Sequence, residues 1–157
     1  MPKHLLLFAA TTGYQIRTFA EAAQRVGAEL TLATDRCHVL DDPWGDHAIA
    51  VRFDRIAESV DGVRGSRFDG IVAVGDRPAA LAAEAAVALG LPFHTPIGAR
   101  AGHDKHFARS LFGGKLRAPR FFQTTDAGDA DRAPYPCVLK PLGSSASRGV
   151  IRANDPA

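Results

Sequence analysis

Lysine and arginine bracket a run of tiny residues near the end of this chain. The stretch Lys140-Pro141-Leu142-Gly143-Ser144-Ser145-Ala146-Ser147-Arg148-Gly149 is built mostly of glycine, serine and alanine. In such a loop no bulky side chain stands in the way, so backbone N–H groups can turn toward an anion. Ser144, Ser145 and Ser147 add hydroxyl donors, Ala146 and Gly149 allow close approach, and Lys140 and Arg148 add positive charge. The chemistry this suits is a cradle for a polyphosphate. An ordinary surface hairpin with a serine-rich turn is the alternative that the residue types leave open.

A loop of this kind needs arms. Cys137-Val138-Leu139 reads as a short apolar strand ending in Lys140, and Val150-Ile151 can return beside it, with Gly143 to Gly149 at the tip of the hairpin. Upstream, Leu5 to Phe8 is the continuous apolar run of a central parallel strand, broken by Thr11-Thr12-Gly13. A helix then begins near Thr18, with Phe19, Ala22, Ala23 and Val26 on one face and Gly27 as a left-handed stop. Leu30 to Ala33 reads as the second strand. Ile56, Val60 and Val63 fall at helical spacing within Asp54 to Arg64, and Asp69-Gly70 leads into Ile71-Val72-Ala73-Val74, the clearest buried strand. Pro78 suits the first turn of the next helix, which runs through Leu89 to a cap at Gly90.

This alternation predicts an α/β fold, a Rossmann-like parallel sheet with flanking helices, whose functional loops lie at the C-terminal ends of the strands. Asp76 and Arg77 fall in one such loop. A further helix runs from Asp104-Lys105-His106 through Leu111 and Phe112 to Gly113-Gly114, and Asp126 to Pro136 reads as a solvated connector.

Composition narrows the classes. The chain has 157 residues, 46% hydrophobic and 23% charged, as in a folded globular protein. A net charge of +2, evenly spread, argues against a nucleic-acid surface. Neither a targeting signal nor a membrane-spanning run is legible, so the expected setting is cytoplasmic. Cys37 and Cys137 have no CxxC companion and are expected to be buried thiols rather than zinc ligands or a disulfide. His103 and His106 could share a helix face, but no third metal ligand lies within sequence reach. Phe112-Gly113-Gly114-Lys115-Leu116 lacks both the upstream glycine and the hydroxyl residue of a P-loop, and Thr11-Thr12-Gly13-Tyr14-Gln15 lacks a dinucleotide-binding triple glycine. No serine-histidine-aspartate arrangement can be recognised.

Lys140-Pro141 followed by a small-residue loop and Gly149-Val150 resembles the ATP-binding hairpin of the ATP-grasp superfamily of carboxylate-amine ligases. Asp104-Lys105, with Arg109 and Leu111 behind it, is similar to the opening of the family's linker helix. Leu116-Arg117-Ala118-Pro119-Arg120-Phe121 is similar to its short loop and strand into the second domain, and Gly75-Asp76 with Ala82 to Pro92 to the last strand and helix of its first domain. Ser144 and Ala146 stand where many members have glycine, which implies a stiffer loop.

The resemblance implies residues 1–100 as a Rossmann-like pre-ATP-grasp domain. Residues 101–157 would then form the linker helix and the incomplete, α+β first part of the ATP-grasp domain. Its cofactors are ATP and Mg2+, with the metal ligands expected beyond the end of this chain, which reads as a fragment. Lys105 and Lys140 would meet the phosphates from two sides, and the residues from Ser144 to Gly149 would cover them. Thr12, Gly13, Asp76 and Arg77 would contact the acceptor substrate, with simple turn chemistry as the alternative for those four.

At full length the implied activity is ATP-dependent activation of a small carboxylate as an acylphosphate for attack by an amine. The isolated chain would be inactive, partners would be small molecules rather than nucleic acid or membrane, and a homo-oligomer is compatible with this. A reading from another class also stands: a non-catalytic α/β binding module whose serine-rich hairpin tail contacts a protein partner.

Overall fold

The computed structural model describes residues 1–11, 15–36, 47–144 and 146–156. Among the residues singled out above, Thr12, Gly13, Cys37 and Ser145 lie outside that set. The chain divides into two compact units, Met1–Ala99 and Arg100–Ala157.

Among the described residues, the first unit contains β1 (His4–Ala9), α1 (Ile16–Arg25), β2 (Glu29–Thr34), β3 (Ile49–Ala50), α2 (Ile56–Val63), β4 (Gly70–Val74) and α3 (Asp76–Leu89). Its strands are all parallel and lie in the order β3-β2-β1-β4. β1 pairs with β2 from His4↔Glu29 to Phe8↔Ala33 and with β4 from Leu5↔Gly70 to Ala9↔Val74. The apolar run of β1 is therefore internal and covered on both faces. Leu6 and Phe8 point into a core with Val60 and Val63 of α2 and Leu81 and Ala85 of α3. Leu7, of opposite parity, lines an apolar groove with Ile16 and Ala23 of α1 and Leu30 and Leu32 of β2. Helices thus lie on both faces, as the α/β pattern predicts.

Details differ where local pattern meets tertiary context. β3 was not foreseen because two residues carry no periodicity, yet Val51 and Phe53 just beyond it are buried in the core. β4 occupies the sheet edge, so only Ile71 is buried while Val72, Ala73 and Val74 are half-buried. α1 ends at Arg25, which leaves Val26 76% exposed rather than on the inner face, and Gly27 takes a positive φ of 67° beyond it. In α2 the expected inner Ile56 is exposed, and the buried place goes to Ser59. The Ser59 hydroxyl accepts from Arg52 N (2.8 Å) and donates to Arg52 O (2.9 Å), so its burial leaves no orphan polar atom. α3 ends as expected at Gly90, whose left-handed φ of 66° lets Leu91 N reach Ala86 O at 2.9 Å.

α4 (Pro96–His103), also unforeseen, spans the division between the units. The second unit contains α5 (Lys105–Phe112), a 3-10 turn at Ala127–Arg132, and the strands β5 (Cys137–Leu139) and β6 (Ile151–Ala153). The expected solvated connector is thus partly ordered: Asp126 caps the turn by accepting from Gly128 N at 2.8 Å, and Tyr135 Oη donates to Ala130 O at 2.9 Å. Leu116 to Phe121 forms no strand, because no described segment pairs with its backbone. Cys137 is half-buried and free rather than fully buried, since β5 belongs to a sheet of only two strands.

Candidate functional site

The hairpin forms where the apolar arms place it. β5 and β6 pair antiparallel, Cys137↔Ala153, Val138↔Arg152 and Leu139↔Ile151. Val150 lies outside the second arm, its N–H donating to Ser147 O at 3.3 Å instead of joining the ladder. The loop between the arms turns sharply. Ala146 and Ser147 have positive φ, 54° and 57°, and Gly149 follows at 70°. Consecutive left-handed residues other than glycine are costly and are held only by their surroundings. At Gly149 a Cβ would stand 2.9 Å from Pro141 Cγ, so the base of the loop closes only with glycine there.

The segment before α5 supplies the surroundings. Asp104 is the N-cap of α5, its Oδ1 accepting from Phe107 N at 2.9 Å. That bond, aided by the His106 N–H and the Arg100 charge, outweighs desolvation and holds the Asp104 carboxyl below its ordinary pKa of 3.8. With Asp104 fixed, Lys105 opens the helix and its Nζ reaches the hairpin loop, donating to Ser144 O at 2.7 Å and to Leu142 O at 3.0 Å. His103 packs on the same loop: a Cβ built on Gly143 would lie 3.5 Å from His103 Cε1 and Nε2. Behind α5, Arg100 stacks over Phe107 (4.0 Å), while His106 meets Phe121 edge-on (5.6 Å). The two histidines thus face different partners.

Lys105 and the glycine–serine loop are in direct contact in the structure, although 37 residues separate Lys105 from Leu142. Lys140 is exposed at the end of β5, Arg148 is exposed in the loop, and neither makes a hydrogen bond or ion pair with a described residue. One lysine is therefore engaged by carbonyls and two further cations stand open to an anionic ligand. The loop's polar side chains are cationic or hydroxylic; none is a carboxylate. That donor set fits phosphate oxygens and does not fit a divalent cation, whose ligands would be anionic or carbonyl oxygens.

A second cluster sits at the C-terminal edge of the parallel sheet. Thr11, just after β1, donates to Asp35 Oδ1, just after β2, from both its N–H (2.7 Å) and its Oγ1 (2.9 Å). Burial alone would push the Asp35 carboxyl up. The Thr11 bonds and, more weakly, the Arg77 charge reverse this and hold it below 3.8. Asp76 and Arg77 lie in the first turn of α3 rather than in a loop, because Gly75 (φ 101°) starts the helix directly after β4. The Arg77 guanidinium lies 5.7 Å from the centre of the Phe53 ring. Thr11 belongs to the Thr11-Thr12-Gly13 loop read from the sequence, but Asp35, its partner, does not stand out there. Their position at the ends of successive parallel strands was the available signal.

No protein-family model and no curated protein sequence matches the chain. Solved structures do. The crystal structure of an L-amino acid ligase from Bacillus licheniformis superposes with a TM-score of 0.74 at 24% identity, covering 98% of this chain and 39% of the ligase. An N5-carboxyaminoimidazole synthase from Aspergillus clavatus, in complex with ADP and 5-aminoimidazole ribonucleotide, superposes at 0.66 and 16% identity, covering 99% of this chain and 41% of its own. The chain has part of the ATP-grasp fold. It spans about two-fifths of the length of these ATP-grasp enzymes. The parallel sheet with its flanking helices and the small antiparallel hairpin both belong to that shared ATP-grasp architecture. Among the described residues no helix is long and apolar enough to cross a membrane.

Proposed function

We propose that this chain is the nucleotide-gripping opening of an ATP-grasp ligase. Residues 1–100 act as the pre-ATP-grasp domain, and residues 101–157 supply the linker helix and the first hairpin of the ATP-binding domain. The observation that carries this reading is the loop from Leu142 to Gly149. It follows exposed Lys140 in the chain and is touched by the Lys105 ammonium, within a fold shared with two solved enzymes.

In the full-length protein, Lys140, Arg148 and the loop N–H groups hold the triphosphate, and positioning and charge neutralisation do most of the work of phosphoryl transfer. A small carboxylate accepts the terminal phosphoryl group, an amine displaces it, and ADP and phosphate leave. Thr12, Gly13, Asp76 and Arg77 are assigned to the acceptor. ATP travels with Mg2+, for which the loop itself offers no carboxylate ligand. A cytoplasmic, homo-oligomeric protein with small-molecule partners and no nucleic-acid or membrane role belongs to the same proposal.

The test is calorimetric ATP binding to the full-length protein with Lys140→Ala beside the unaltered chain. Loss of one charge-assisted bond to phosphate, about 1.5–3 kcal/mol, weakens binding by roughly ten- to a hundredfold. Unchanged affinity removes Lys140 from the site.

A second reading draws on the hairpin's exposed apolar residues, Val138 (53%), Leu139 (51%) and Ile151 (61%). On that reading the hairpin is a docking strand pair for a protein partner in a non-catalytic module. A full-length protein that binds no ATP yet loses a partner on Leu139→Asp would favour it.

A further inference from the structure

We propose that Lys105 is the positioning residue of the hairpin loop, clamping its backbone in place before any nucleotide arrives. An ammonium group has three N–H donors and no acceptor. Two of the three at Lys105 are spent on the carbonyls of Leu142 and Ser144, at 3.0 and 2.7 Å, and carbonyls at these distances are charge-assisted acceptors. Those two carbonyls flank Gly143, and Gly143 is in turn covered by the His103 ring. Three successive residues thus divide the work: His103 packs on the loop, Asp104 fixes the start of α5 through Phe107 N, and Lys105 ties the loop backbone.

The contact has a physical reason. A loop with left-handed Ala146 and Ser147 stores local strain, and the described residues give it one backbone hydrogen bond of its own, Val150 N to Ser147 O at 3.3 Å. External bonds must hold such a loop, and Lys105 supplies two. With those donors engaged, one N–H of Lys105 remains for an anion, whereas Lys140 and Arg148 are open. Lys105 therefore acts first on the loop, whether or not the loop proves to bind ATP.

The test uses the whole chain without nucleotide, so its failure and the failure of the ATP reading are separate results. Backbone 15N relaxation of Gly143 and Ser144 is measured in the unaltered chain, in Lys105→Met and in Lys140→Met. Each variant removes one positive charge near the loop, but only the first removes the clamp. The expected result is an order parameter near about 0.85 in the unaltered chain and in Lys140→Met, falling below about 0.6 in Lys105→Met. Equal order in Lys105→Met and the unaltered chain, or equal loosening in both variants, overturns the proposal.

A second measurement needs no substitution. Ammonium protons of Lys105 should exchange with water about tenfold more slowly than those of Lys140, the slowing that about 1.4 kcal/mol of hydrogen bonding produces. Equal exchange at the two lysines refutes the clamp.

Discussion

Asp104 and Ala146 govern the site at the level of single residues. Because folding lowers the Asp104 pKa, its contribution to the start of α5 is complete above 3.8 and is lost as the pH falls through the lower folded value. Acidification from pH 6 to pH 2 should therefore lower the protection of the Phe107 amide, taken relative to its intrinsic exchange rate at each pH, before that of the β1 amides, as followed by NMR. Asp104→Ala should produce the same loosening at neutral pH, while Asp104→Asn, a good cap without charge, should retain most of the protection. Ala146 occupies a left-handed position, φ 54°, where the resemblance to ATP-grasp hairpins anticipates glycine. Ala146→Gly should raise the stability of the hairpin by about 0.5–1 kcal/mol, since relief of the backbone strain exceeds the added freedom of the unfolded chain. Amide exchange at Cys137 and Ala153 reads that change.

The decisive element is the hairpin from β5 to β6. Two short strands bury little, and their pairing depends on how the connecting loop closes. Gly149 closes it by approaching Pro141 where a Cβ would stand at 2.9 Å, on a backbone with φ 70°. Gly149→Ala should therefore cost the hairpin about 1–2 kcal/mol and open the Val138↔Arg152 pair, seen as lost cross-strand contacts in NMR, while the first sheet is untouched. The arms were legible in the sequence because Cys137-Val138-Leu139 and Ile151 are apolar runs on either side of small residues. Exclusion of Val150 from the ladder was not, because a turn bond to Ser147 competes locally with strand pairing and periodicity does not report such competition.

The whole chain distributes its stability unevenly. Every buried apolar residue among those described lies between Leu6 and Ala86, in the first unit, while Phe112, Leu116, Val138, Leu139 and Ile151 of the second are exposed. Since burial of apolar area supplies most of the favourable free energy of folding, the second unit should open first. Hydrogen exchange on the intact chain should show protection concentrated in β1, β2 and β4. Phe8→Ala, which empties a fully buried site, should cost the first unit about 3–5 kcal/mol in denaturant unfolding while exchange in α5 stays unchanged.

Periodicity and turn chemistry were enough to read the βα alternation, the Gly27 and Gly90 stops, the start of α5 at Asp104 and the two arms of the hairpin. Each of these depends on residues near in sequence: apolar spacing, a capping carboxylate, a glycine able to take positive φ. Contacts between distant residues decided the rest. Which strand lies at the sheet edge, that Ser59 rather than Ile56 turns inward, that Asp35 is held by Thr11, and that Lys105 ties Leu142 and Ser144 all depend on packing. Such contacts appear only once the chain has folded, because their energies come from geometry that no local window of sequence contains.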